Sequence, residues 1–280
     1  MYNNIDQVVQ KIKNADAILI GASNGLSISE GYNIFAENQD FIDMFSDFRD
    51  KYGIRNILQG IFYDYPSEVD KWTFLSRLIY KNYHKYEVST AMKSLYELAY
   101  DKPYFIVTSN GECHFEKTGF KDENIFEIEG NLLNMQCSHG CHDKLYPTYD
   151  LIENMAHGTI NGKVPEDLIP KCPECGGNMD LNVAKDQYFI ENREAQKRCT
   201  EFLQKYHGKN LVILELGIGW RNRLIKAPFM EIARNEENAV YITINKGEIY
   251  IPDFIQDKSF GIDGDLSSIL EEMCKEYKNR

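Results

Sequence analysis

Four short runs, Ala17-Ile18-Leu19-Ile20, Tyr104-Phe105-Ile106-Val107, Leu211-Val212-Ile213-Leu214 and Val240-Tyr241-Ile242-Thr243-Ile244, are almost wholly apolar and rich in β-branched residues. Segments this short and continuous leave no face for water, so they read as strands of a parallel sheet covered on both sides. Residues 5–13 and the other intervening stretches have helical periodicity, which makes the chain α/β with a Rossmann-type parallel sheet. Residues 41–99 depart from the alternation: they are aromatic-rich, helical in period and without strands. They read as a helical insertion covering a cleft at the sheet's carboxyl edge, where open α/β sheets bind ligands.

Cysteine spacing adds a second insertion. Cys137 and Cys141 form one close pair and Cys172 and Cys175 another, an arrangement suited to a tetrahedral Zn2+ site. In Cys172-Pro173-Glu174-Cys175-Gly176-Gly177 the glycines let backbone amides face the sulfurs. The alternative is four unrelated buried cysteines, which the tight pairing disfavours. Residues 137–180 are therefore expected to form a zinc-binding module, leaving 1–40, 100–136 and 181–280 for the sheet domain. Of the seven cysteines, Cys113, Cys199 and Cys274 remain, and an odd remainder beside a zinc pattern points to the reducing cytoplasm. A net charge of -12 with no dense basic patch argues against nucleic acid as a partner. No signal peptide or membrane span is expected. The charged residues 275–280 read as the frayed end of a helix.

Polar or glycine-rich segments follow three of the strands. After the first comes Gly21-Ala22-Ser23-Asn24-Gly25-Leu26-Ser27, where a glycine lets the backbone approach a pyrophosphate at a helix N-terminus. It does not match G-x-G-x-x-G, and a plain strand-to-helix turn is the alternative reading. Glu215-Leu216-Gly217-Ile218-Gly219 is a second such place. Asn245 closes a third strand, where its amide can bond a ribose hydroxyl or an adenine edge. Together the three favour a dinucleotide over any other ligand.

These segments, with Thr108-Ser109-Asn110, the Gly130 segment and the split cysteine site, resemble the sirtuin family. The match is nearest to the macrodomain-linked, class M sirtuins. It includes Phe45-Ser46-Asp47-Phe48-Arg49-Asp50-Lys51-Tyr52-Gly53, Gly60-Ile61-Phe62-Tyr63 and Ala227-Pro228-Phe229, and runs over residues 15–268. The resemblance implies NAD as cofactor and transfer of ADP-ribose to a protein. The implied acceptor is similar to a lipoyl-carrier protein, with a macrodomain hydrolase reversing the mark. It also gathers Ala22, Leu26, Ser27, Ser109, Asn110, Glu112 and Asp263 with Gly21, Gly25, Gly217, Gly219 and Asn245 as cofactor-binding residues.

The chain departs from the family at two implied site residues. Deacylating sirtuins carry a His general base before the glycine upstream of the zinc ligands, and class M members generally Gln; here that position is Glu129. The family's Asn-hydrophobic-Asp is Asn110-Gly111-Glu112, so the side chain expected at the nicotinamide amide is one methylene longer. Cleaving the nicotinamide bond builds positive charge on the ribose, which a fixed carboxylate stabilises, and such a group can also take a proton from the nucleophile. Glu129 is therefore the expected catalytic residue and Asn110 its positioning partner. The alternatives are an NAD hydrolase, a residual deacylase, or a non-catalytic NAD or ADP-ribose sensor. Cys113 and His114 read as packing residues. Arg221 and Arg223 are either phosphate or carrier-protein contacts or solvated loop charge.

Overall fold

A computed structural model describes residues 4–279. Helix α1 (Ile5–Lys13) precedes strand β1 (Ala17–Ala22), and Ile5, Val8, Val9 and Ile12 bury one amphipathic stripe against the sheet. After α2 (Asn24–Ser29) come α3 (Gln39–Tyr52), α4 (Ile57–Ile61) and α5 (Glu68–Ile79), with a π-helical turn over residues 80–84. Asn38 caps α3 by accepting from Phe41 N at 2.9 Å, and Gly53 ends it in the left-handed region. The chain continues through α6 (Thr90–Ala99), β2 (Tyr104–Thr108), α7 (His114–Thr118) and β3 (Ile125–Glu127).

Next stands the cysteine-bearing module: β4 (Gly130–Cys137), β5 (Tyr146–Pro147), α8 (Tyr149–Gly158) and β6 (Met179–Val183). Its strands form a separate three-stranded antiparallel sheet in the order β5-β4-β6. The chain finishes with α9 (Arg193–Lys205), β7 (Leu211–Leu216), α10 (Lys226–Asn235), β8 (Val240–Asn245), β9 (Ser259–Asp263) and α11 (Leu266–Asn279). The expected tail helix thus runs through Asn279, and Arg280 lies outside the described residues.

The main sheet has six parallel strands in the order β3-β2-β1-β7-β8-β9. Apolar layers cover both faces: α1, α6 and α11 on one, α9 and α10 on the other. Here α6 differs from the expectation of a helical insertion reaching residue 99, because Ala91, Met92, Leu95 and Leu98 pack in the sheet's own core. A further apolar core is shared by α3, α4, α5 and the cysteine module, joining Phe45, Trp72 and Phe74 to Leu132, Ile152 and Leu181. Phe45 and Phe74 stack with centroids 4.0 Å apart at its centre.

The strand order reverses between β1 and β7, which opens a crevice at their carboxyl ends. There Gly25 N donates to Gly217 O at 3.0 Å, and a Cβ on Gly25 would stand 2.5 Å from Gly217 Cα. Gly217 also has φ +62, so neither residue can carry a side chain without moving backbone. Beneath it, Glu215 is fully buried in β7. It accepts from Tyr241 Oη at 2.6 Å, from Thr243 Oγ1 at 2.8 Å and from Lys226 Nζ. This locks β7, β8 and α10 together under the crevice, with the carboxylate's oxygens supplied by donors.

Gly217→Ala is expected to destabilise the fold by about 2–4 kcal/mol, combining overpacking with a left-handed φ. Gly208→Ala, at φ +71 with open space around it, should cost about 1 kcal/mol. Urea denaturation of both variants checks the difference.

Candidate functional site

A cleft of about 260 Å³ lies where the β1 and β2 ends meet the cysteine module. Asn24, Ser109, Asn110, Glu112 and Glu129 supply its polar lining, and Tyr32, Ile34, Phe35, Leu58, Phe62 and Leu132 its apolar lining. Its floor is a continuous hydrogen-bond network. Asn110 Nδ2 donates to Ser23 O at 3.2 Å and Ser27 Oγ at 2.8 Å, and Ser27 Oγ donates to Glu112 Oε1 at 2.6 Å. Asn222 Nδ2 reaches both Ser23 Oγ and Ser109 Oγ at 3.1 Å, so the loop after Gly219 is stitched to the first glycine loop. Asn110 Oδ1 is buried and has no partner. A buried acceptor left unmade is costly, and in a cleft wall it marks where a ligand donor belongs.

The two segments carrying Asn110 and Glu129 are clamped together. Leu132 N donates to Gly111 O at 2.9 Å, Ile128 N to Thr108 O at 2.9 Å, and Ala184 N to Glu129 O at 2.9 Å. Behind them, Glu127 accepts from Asn131 Nδ2 and, at 3.2 Å, from Cys113 Sγ. Burial pushes the Glu127 and Glu116 carboxyls up, helped by the charge of Glu116 at Glu127 and by those of Asp122 and Glu112 at Glu116. Burial likewise raises Glu129 and, opposed by His114 and Ser27, Glu112. Burial and the neighbouring carboxylates raise the Cys113 thiol, which fits its packing role and not a reactive one.

The structure distributes the sequence-derived candidates unevenly. Ser109, Asn110, Glu112 and Glu129 line the cleft. Gly25, Leu26 and Ser27 lie on α2 at its edge, with Gly217 against Gly25. Gly21 sits inside β1, opposite Val107 and Glu215, not after the strand. A Cβ there would meet Phe229 Cε2 at 2.5 Å, so this glycine makes room for α10; Ala22 is the strand's last residue. Gly219, Asn245 and Asp263 are outside the cleft lining: Asn245 Nδ2 donates to Glu248 O at 3.3 Å, and Asp263 Oδ1 accepts from Gly247 N at 2.7 Å. Asn222, Ser23 and Tyr32 were not among the expected site residues. An amide between two arginines just past Gly219 was the one available signal for Asn222.

The four cysteine sulfurs all lie within 4.8 Å of one another. Cys137 Sγ and Cys175 Sγ are 3.7 Å apart, Cys141 Sγ and Cys172 Sγ 3.5 Å. Zinc–sulfur bonds of about 2.3 Å in a tetrahedron set sulfurs about 3.8 Å apart, so this donor set fits Zn2+. Gly177 N points at Cys175 Sγ at 3.4 Å, and His142 bridges Cys141 Sγ and Tyr146 Oη at 3.0 Å each. His142 thus stands beside a complete set of thiolates.

Over 264 residues the chain is 34% identical to a protein ADP-ribosyltransferase of Staphylococcus aureus (strain Mu50), covering 92% of this chain and 83% of that one. The chain belongs to the sirtuin-like protein ADP-ribosyltransferases. A probable bifunctional ADP-ribose hydrolase/ADP-ribosyltransferase of Fusarium oxysporum f. sp. cubense is 28% identical over 225 residues, 74% of this chain and 36% of that protein. No protein-family model matches the chain. A solved Sir2 homologue in complex with NAD shares the fold with a TM-score of 0.63 at 13% identity, over 98% of this chain and 94% of that one. Sir2Tm bound to a propionylated peptide gives 0.61 at 14% identity, over 97% and 98%.

The transferase's cleft fits NAD on its own evidence. The Gly25–Gly217 crossing leaves bare backbone at the crevice, and Asn110 Oδ1 awaits a donor of the kind a ribose hydroxyl offers. Among the described residues no helix is long and apolar enough to cross a membrane.

Purified transferase is expected to carry about one zinc per chain. Cys172→Ser should lose it and unfold the module with the shared core around Phe45 and Leu181, because metal binding and folding are one equilibrium there. Metal analysis and thermal melts before and after chelation check both.

Proposed function

We propose that the chain cleaves NAD in the cleft beside Asn110 and passes ADP-ribose to a protein acceptor, with Glu129 as catalytic residue. NAD supplies the ADP-ribosyl group and releases nicotinamide. The unpartnered Asn110 Oδ1, in a cleft also lined by Glu112 and Glu129, is the observation that carries the reading. Asn110 holds a ribose hydroxyl. Glu129 faces positive charge developing on the substrate and takes a proton from the incoming nucleophile, which needs its ionised form. Glu112 meets the nicotinamide amide from the cleft floor. Gly25, Leu26, Gly217 and Gly219 provide backbone for the pyrophosphate, and Asn245 and Asp263 serve the adenosine end.

The acceptor is a lipoyl-carrier protein, and a macrodomain hydrolase removes the mark. The pairing of both activities in the name of the Fusarium relative supports the second point. Trp220 and Leu224 are exposed on the loop that Asn222 ties to the cleft, flanked by Arg221 and Arg223. An apolar and basic surface there suits an acidic carrier with an apolar arm. Seven free cysteines, four of them zinc-disposed, support a cytoplasmic setting.

Nicotinamide release should depend on a lipoyl-carrier protein, which gains one ADP-ribose by intact mass. Glu129→Gln should slow release by 10²-fold or more, roughly the contribution of one charged group at the transition state. Release at the wild-type rate would remove Glu129 from the mechanism, and release without an adduct would make the chain a hydrolase.

A further inference from the structure

Behind the cleft floor lies a buried ionic group that the reaction as described does not use. His114 and Glu30 have side chains only 4% and 2% exposed. His114 Nε2 lies 2.8 Å from Asn82 O, and a carbonyl can only accept, so Nε2 carries a proton. Nδ1 lies 3.3 Å from Glu30 Oε1, whose other oxygen accepts from Tyr86 Oη at 2.5 Å and Ser89 Oγ at 2.7 Å. Two assignments meet this contact, an ionised Glu30 accepting from Nδ1–H or a neutral ring accepting from a protonated Glu30, and the two donors already on the other oxygen favour the first. With both nitrogens protonated the ring is an imidazolium. Tyr86 stacks on it with centroids 3.6 Å apart, and its π-face favours the cation. Ligand atoms of Glu30, His114 and Glu112 all fall within 4.8 Å of one another.

The direction of the floor's hydrogen bonds depends on Glu112. As an anion it can only accept, so the single Ser27 hydroxyl proton goes to it. Ser27 Oγ must then accept from Asn110, whose NH2 is held inward by this bond and by Ser23 O at 3.2 Å, leaving Oδ1 unpartnered. Were Glu112 protonated, it could donate to Ser27, and the Ser27 proton would then compete for Asn110 Oδ1, leaving Ser23 O alone to hold the amide's NH2 inward.

We propose that His114 is a positioning residue: a buried imidazolium, paired with Glu30, that keeps Glu112 anionic and so helps Ser23 O present the Asn110 carbonyl oxygen as an acceptor for a ribose hydroxyl. The identity of that ligand rests on the NAD-cleaving reading above. Other groups facing the pair are Tyr32 and Tyr86 from the preceding loops and Glu116 from α7, while Glu127 from β3 faces Glu112. Burial alone would lower the His114 pKa, but the Glu30 hydrogen bond and the charges of Glu112 and Glu30 outweigh it and raise it. Burial raises Glu112, and the His114 charge opposes that rise.

Nitrogen-15 NMR of the histidine rings in the ligand-free wild-type chain at pH 7 tests the charge, with His114 assigned by its loss in His114→Gln. Both ring nitrogens are expected in the protonated range, and a neutral tautomer would overturn the proposal. This readout needs no turnover, so a chain that never cleaves NAD sinks the functional reading and leaves His114 decided separately. Nicotinamide release against pH tests the positioning. Without the cation Glu112 keeps its proton to higher pH, so His114→Gln should move the acid limb up by about one unit and approach wild type in alkali. A uniform drop with the limb unmoved would mean that His114 only packs. If the variant does not fold, chemical-shift mutants at Tyr86→Phe supply the assignment and the wild-type spectrum still decides.

Discussion

Two loops of this transferase meet where neither has room for a side chain. Gly25 and Gly217 approach so closely that a Cβ on Gly25 would sit 2.5 Å from Gly217 Cα, and the Gly25 N to Gly217 O bond closes the contact. That approach brings the β1 and β7 ends together at the reversal of strand order, the one place in the sheet where neighbouring loops part to make a crevice. The polar floor follows from it. Ser23 and Ser27 flank Gly25, and Asn222 comes five residues after Gly217, so their side chains converge with Ser109 and Asn110 just past β2.

The crossing has to be held from below, and the sequence spends a charge on it. A glutamate in the run Leu211-Val212-Ile213-Leu214-Glu215-Leu216 would be an anomaly for a strand buried on both faces. Its three donors resolve that, and they come from two elements: Lys226 from α10, Tyr241 and Thr243 from β8. A hydrophobic residue could fill the same volume, and buried pairs seldom exceed such a replacement in stability. What the pair adds is direction, because the ammonium and two hydroxyls reach one carboxylate in only one register of α10 over the sheet.

The sheet and the cysteine site were legible in the sequence because each depends on local pattern. A continuous apolar run and two close cysteine pairs mean the same thing wherever they occur. Gly21 was harder: a glycine at the end of an apolar run looks like a phosphate loop, and only the fold shows Phe229 and Ile225 filling the space above it. The helical period of α6 matched its neighbours in sequence, so nothing local distinguished a helix that packs on α1 and α11 from ones that pack on the cysteine module. Of the cleft, Asn110, Glu112 and Glu129 were readable through family resemblance. Ser23, Asn222 and the Glu30–His114 pair were not, since each acts through partners that are tens of residues away in the chain.

The longer side chain at Glu112 changes what the floor of the cleft has to do. An aspartate reaches less far from the backbone; the extra methylene lets Glu112 meet Ser27 at 2.6 Å while remaining buried among Glu30, Glu116 and Glu127. So many carboxyl groups cannot all ionise in one apolar volume, and their separation into roles is set by partners. Glu30 has Tyr86, Ser89 and His114; Glu112 has Ser27 and the nearby imidazole; Glu127 has Asn131 and a thiol and, among the described residues, no cationic partner. The imidazole and hydroxyl partners thus stand on the side of the network that ends at Asn110, while the side behind the turn bearing Glu129 has an amide and a thiol. An acidic chain can then present a single oriented acceptor to its substrate without the repulsion that an unpartitioned cluster would impose.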